Sequence, residues 1–185
     1  ALSQRLDGQV VVWNTRYQDA HTEFVSQSTK RAIEGKRSDL KSINKQAECF
    51  FNRISEDPCL VAFEIMTSDD QVRVSSARIV SSSAATKFNE PLFAVQSDHF
   101  FFSRRRTEYF RNATPFYLQF HALKRLAERT DLEGVHILAL LIQFREIVCD
   151  SAPIAVLMNH AVGAGLIPSW MHFPIPAGDG VLLCR

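Results

Sequence analysis

The 185-residue sequence contains no apolar run of about 18 residues, so no transmembrane helix and no membrane partner are expected. It has no cysteine pair at CxxC spacing. The four cysteines lie at positions 49, 59, 149 and 184, which argues against a zinc ribbon and against a disulfide framework. Reduced thiols in a cytoplasmic protein are the expectation. No Gly-x-Ser-x-Gly elbow supports a hydrolase. Gly163-Ala164-Gly165 follows a helical pattern and lacks the Lys-Ser/Thr pair of a phosphate loop. No metal or cofactor is therefore expected. Net charge is scarce at +1, so the chain as a whole has no strong long-range field. Tyrosine and tryptophan number only three and two, against fourteen phenylalanines, which points to a core of rings with few hydroxyls to satisfy. No secretory signal precedes the Asn112-Ala113-Thr114 sequon, which is read as accidental. The chain begins at Ala1 without methionine, as a piece of a longer protein would.

What is present suffices for a globular core: 46% hydrophobic and 22% charged residues. The pattern divides into an N-terminal strand and helical region, 1–56, and an α+β core, 57–185, with a single domain over 1–185 as the alternative. Val10 to Trp13 read as a short strand. Phe24, Val25, Ile33, Leu40, Ile43, Ala47, Phe50, Phe51 and Ile54 recur at helical spacing, with a break near Gly35–Ser38. Leu60–Met66, Val72–Val80, Leu92–Val95 and His99–Phe102 read as strands, with a turn at Thr67–Asp70. After Pro115 the pattern predicts helices at about 117–130, 134–149 and 153–162, the last starting at Pro153. Trp170–Ile175 and Val181–Cys184 flank an Asp-Gly hairpin signal. The fold class expected is α+β: N-terminal helices, a central antiparallel sheet, a helical insert, and C-terminal strands that rejoin the sheet.

The near-neutral total hides local asymmetry. From Arg104 to Arg129 seven basic residues face two acidic ones. Within that stretch Phe120, Ala122, Leu123, Leu126 and Ala127 share one helical face, and His121, Lys124, Arg125, Glu128 and Arg129 share the other. An imidazole titrates near neutrality, and guanidiniums stabilise the charge that builds on a phosphate under attack. His121, Arg125 and Arg129 are therefore the catalytic candidates. The competing reading is a solvated surface helix with ordinary ion pairs. Arg104, Arg105, Arg106 and Arg111, interleaved with Tyr109 and Phe110, form a second candidate, joined by Lys124, for contacting phosphates and bases. Its competing reading is a solvated loop or strand end. His160, Ser169, His172 and Asp179 carry no motif spacing and read as structural.

The segment His121-Ala-Leu-Lys-Arg-Leu-Ala-Glu-Arg129 resembles the opening helix of small bacterial toxin-like domains of the barnase, EndoU, colicin E5 and RelE ribonuclease grouping. It also resembles the His-Ala-x-x-Arg-x-x-x-Arg helix of uncharacterised bacterial proteins. The first resemblance implies metal-independent RNA cleavage with His121, Arg125 and Arg129 at the site. It covers about ten residues, and the helices lying between this segment and the last strands depart from that fold's order. The leading expectation is a bacterial nucleic-acid-acting protein of toxin or effector type, with RNA or another nucleic acid as partner. The alternative is a non-catalytic regulatory or interaction module whose N-terminal amphipathic helices form a homodimer or dock a protein.

Overall fold

The computed structural model describes residues 2–33, 39–82, 92–119, 137–168, 173–177 and 180–184. The chain opens with one long helix, α1 (Leu2–Ile33), and not with a strand. Three adjacent valines favour extended backbone locally. Tertiary packing overrides that preference: Leu6, Val10, Tyr17, Ala20, Phe24 and Ser28 are buried, at steps of three, four and seven residues. Val11 and Val12 are left about half exposed on the outer side.

The second helix is α2 (Leu40–Ile54); the break expected near Gly35–Ser38 lies outside the described residues. Asp39 caps it, accepting from the Lys41 amide at 3.2 Å. Its buried residues Ile43, Ala47, Phe50 and Ile54 form one stripe. The two helices are antiparallel, because Ser28 bonds Gln46 while Glu23 pairs with Arg53. Phe24 stacks on Phe50 at 5.1 Å between ring centres.

Four antiparallel strands then form a meander in chain order: β1 (Leu60–Thr67), β2 (Gln71–Ser82), β3 (Leu92–Ser103) and β4 (Thr107–Gln119). The two strand pieces expected within 92–102 are one strand. β4 takes the place of an expected loop and helix start. The Arg104–Arg106 approach and the adjacent Tyr109 and Phe110 hide its period of two, and residues 117–119 belong to this strand. The remainder of the helix expected at 117–130 lies outside the described residues.

Cross-strand register sorts the side chains into two faces. Toward α1 and α2 run the rows Thr67–Val72–Phe102–Thr107, Ile65–Val74–Phe100–Tyr109 and Phe63–Ser76–Asp98–Arg111. The helix stripes close on these rows, and Phe24 meets Phe100 and Phe102 edge-on at 5.3 and 5.8 Å. The opposite face carries Met66–Arg73–Phe101–Glu108, Glu64–Ser75–His99–Phe110 and Ala62–Ala77–Ser97–Asn112.

The last helix, α3 (Ile137–Gly163), is continuous where the pattern predicts two. Pro153 lies inside it, and a proline there removes one backbone bond without ending the helix. Val148 is fully buried, and the Cys149 thiol donates to the Val61 carbonyl on β1. The helix stops at a glycine cap: Leu166 N–H bonds the Ala161 carbonyl, Gly165 N–H bonds Val162, and Gly165 takes φ +71°. Gly165→Ala is expected to destabilise by about 1 kcal/mol, read as a lowered midpoint in thermal unfolding. An unchanged midpoint would mean that this cap adds nothing.

The final strands, β5 (Phe173–Ala177) and β6 (Gly180–Cys184), pair with each other in a separate two-stranded sheet. Among the described residues they do not rejoin the meander, which consists of β1 to β4 alone. No helix among the described residues is long and apolar enough to cross a membrane.

Candidate nucleic-acid interface

A tight turn closes the β3–β4 hairpin: Ser103 N–H bonds the Arg106 carbonyl at 2.8 Å, and Arg106 N–H bonds the Ser103 hydroxyl at 3.0 Å. This places Arg104, Arg105 and Arg106 together at one end of the sheet, all exposed. Arg106 pairs with Glu108, and the Arg104 guanidinium donates to the Asp69 carbonyl at 3.3 Å. Tyr109, Phe110 and Arg111 continue along β4, the strand that closes one side of the meander. Alternation sends Phe110 to the open face and Tyr109 and Arg111 to the helix face. Both rings remain nearly half exposed, Tyr109 at 43% and Phe110 at 49%. The charged turn and Arg111 also discourage edge-to-edge pairing of this strand.

The same hairpin ends in a buried polar knot. Asp98 is fully buried, and its carboxylate accepts from Arg111 Nε at 2.7 Å, the Tyr109 hydroxyl at 2.7 Å and the Tyr17 hydroxyl at 3.0 Å. Tyr17 directs its hydroxyl proton to Asp98, so the 2.6 Å contact with Ser76 has the Ser76 hydroxyl donating. Burial alone would raise the Asp98 carboxyl, but the bonds from Arg111 and Tyr109 outweigh it and hold the group below its ordinary value. Burial, with the bond to the Asp98 carboxylate, pushes the Tyr109 phenol up to about 12. Arg78, almost wholly buried, lies 3.9 Å over the Tyr17 ring and bonds Asn14. The knot holds the Arg111 guanidinium by its Nε while the side chain stays partly exposed to solvent.

His21 sits beside this knot among the rings of Tyr17, Phe100 and Tyr109, with centroid separations of 5.9, 5.2 and 5.5 Å. Its Nε2 is buried and has no hydrogen-bond partner among the described residues. Burial lowers its pKa below 6.5, against the pull of Asp98. The unfolded chain therefore takes up this proton first on acidification, and stability falls as pH drops through the unfolded value near 6.5. His21→Gln is expected to flatten the fall in melting temperature between about pH 7.5 and 5.5. An identical slope in the two proteins would exclude a neutral buried His21.

Of the residues expected to carry function, the structure brings Arg104, Arg105, Arg106 and Arg111 together on one turn and its strand. His121, Lys124, Arg125 and Arg129 lie outside the described residues. Sequence reading missed Tyr17, His21, Ser76, Arg78 and Asp98. Their separations of up to 81 residues leave no local motif. The available signal was a lone aspartate at a position that β alternation turns inward. No group of three or more His, Cys, Asp or Glu side chains among the described residues is placed to hold a metal ion.

The acids near the turn matter as much as the arginines. Arg73 and the three turn arginines share this end of the sheet with Glu64, Asp69, Asp70 and Glu108. Three of these four cations sit on the β3–β4 turn. Three of these four acids sit on β1 and the β1–β2 turn. The end of the sheet is therefore polarised, not uniformly basic. Compared with known proteins, the chain matches no family model, no curated protein and no solved structure.

Proposed function

We propose that this protein binds nucleic acid through the β3–β4 turn and the length of β4. The observation that carries this reading is the gathering of Arg104, Arg105, Arg106, Tyr109, Phe110 and Arg111 on one turn and one outer strand, with both rings left exposed. Guanidiniums bind phosphate oxygens in a bidentate manner, and each phosphate neutralised releases condensed counterions. The nearby acids hold the electrostatic contribution down. Binding is expected to weaken with salt, but with a shallow slope that corresponds to about two neutralised phosphates.

The test is a titration of labelled single-stranded RNA and duplex DNA at low and moderate salt. Replacing Arg104, Arg105 and Arg106 together by alanine is expected to weaken binding roughly tenfold. The slope of log affinity against log salt should fall by about one to two, at roughly 0.7–0.9 for each phosphate that is no longer neutralised. No binding at low salt by the parent protein would sink the proposal. Cleavage, with His121 as acid or base and Arg125 and Arg129 on the phosphate, is the catalytic extension of the same proposal. A toxin or effector role in the cytoplasm belongs with it. A gel on the same samples with His121→Ala reads that extension, and intact RNA with the parent protein would leave a non-catalytic binding protein.

A further inference from the structure

Resting on the nucleic-acid reading above, we infer that the ligand is single-stranded, with a base stacked on Phe110 on the open face of the sheet. Three observations converge. The half of this face next to the turns is open: Met66, Glu64, Phe110 and Asn112 are exposed, whereas Ile79 and Val95 at the far end are buried. Within the open half, Phe110 presents its ring to solvent with 49% exposure, while the neighbouring Phe101 is occupied. Arg73 lies over Phe101 at 5.1 Å, and Phe110 meets Phe101 edge to face at 5.8 Å. Phe101, itself held under Arg73, thus braces Phe110, which stays half exposed. An apolar ring kept in water and braced from the side suits a planar ligand that covers it.

Charge then separates single strands from duplexes. A duplex offers phosphates and grooves, so its affinity for a surface that inserts no helix into a groove rests mainly on net charge. This end of the sheet has nearly none, because Glu64, Asp69, Asp70 and Glu108 offset the arginines. A single strand adds unstacked bases, and stacking on a protein ring needs no net charge. The polarity of the sheet sets the path: phosphates lie toward the arginine turn, away from the acids of β1, and the base lies inward over Phe110. His99 stands opposite Phe110 in the register, its Nδ1 3.0 Å from the Ser75 hydroxyl. Ser97 and Asn112 fill the next row and supply polar atoms for a base edge.

The experiment is fluorescence anisotropy with a labelled single-stranded RNA dodecamer and a duplex of the same length, on the whole chain. The proteins are the parent, Phe110→Ala, Phe110→Trp and the triple arginine variant. Phe110 is half exposed, so its variants are expected to fold, and circular dichroism checks this. The expected result is single-strand binding at least about tenfold tighter than duplex binding. Phe110→Ala should lose roughly five- to hundredfold for the single strand with duplex binding unchanged, and Phe110→Trp should retain it. Equal or tighter duplex binding, or single-strand binding indifferent to Phe110→Ala but weakened by the arginine variant, overturns the stacking inference and leaves the nucleic-acid reading standing. No binding by the parent to either probe at low salt overturns both.

Discussion

Asp98→Ala is expected to destabilise the protein by about 3 kcal/mol, the lower end of the range for breaking a buried ion pair. The carboxylate is fully buried and receives three donors from two elements: Tyr17 on α1, and Tyr109 and Arg111 on β4. Truncation removes the shared acceptor of two hydroxyls and a guanidinium and leaves the buried Tyr17 hydroxyl with Ser76 alone. Arg111 reaches solvent and can turn toward it, which keeps the cost from the upper end of the range. The sign of the pH effect follows from the lowered Asp98 carboxyl. Its contribution is present above the unfolded value near 3.8 and is lost as pH falls through the folded value. Asp98→Asn is therefore expected to show a shallower loss of stability below about pH 5 than the parent. Urea unfolding at pH 7 and at about pH 3 measures both effects. A cost under about 1 kcal/mol for Asp98→Ala would show that the three donors re-pair easily, and that the knot adds little beyond an ordinary hydrogen bond.

Phe24→Ala should be at least as damaging, at about 3–5 kcal/mol. Phe24 is 3% exposed and joins α1 to two other elements through three rings: Phe50 stacked on one side, Phe100 and Phe102 edge-on beneath. These rings belong to α2 and β3, whose relative position is set by that packing, so the surroundings collapse poorly into the gap. Such a cost approaches the entire stability of many domains. The measurement is chemical unfolding at low temperature, with Val12→Ala as the control. Val12 lies on the same helix at 46% exposure, and its replacement should change stability by no more than about 0.5 kcal/mol. A comparable loss in both variants would contradict the helical register of α1, which buries Phe24 and turns Val12 outward.

The arginine turn shows how far a charge count carries. Seven basic residues against two acidic ones between Arg104 and Arg129 is a real excess along the chain. In space, the β1–β2 turn brings Asp69 and Asp70 beside Arg104, and Glu108 pairs with Arg106. A window on the sequence cannot see acids contributed by another hairpin. The same blindness hid the aromatic arrangement: Tyr109 and Phe110 are adjacent in the chain and lie on opposite faces of the sheet. Local sequence carries the residue types of an interface. Which ring faces outward beside His99, and which leans on Asp98, follows from strand register.

The sequence by itself determined the features that a short window contains. The Ile43, Ala47, Phe50 and Ile54 stripe, the Asp39 cap, the Thr67–Asp70 turn and the glycine stop after α3 are all set by neighbours within about one to three helical turns. Tertiary structure decided what local preference left balanced or opposed. Val10 to Val12 are helical because burying Leu6, Val10 and Tyr17 on one line outweighs a valine preference for extended backbone. Pro153 stays inside a helix because the loss of one backbone bond does not outweigh packing of the helix that bears it. The terminal hairpin pairs with itself in a separate two-stranded sheet, a choice of sheet that no local pattern names. Asp98 found Tyr17 across 81 residues because a buried carboxylate must be satisfied, and only the stacking of α1 on β3 brings that donor to it.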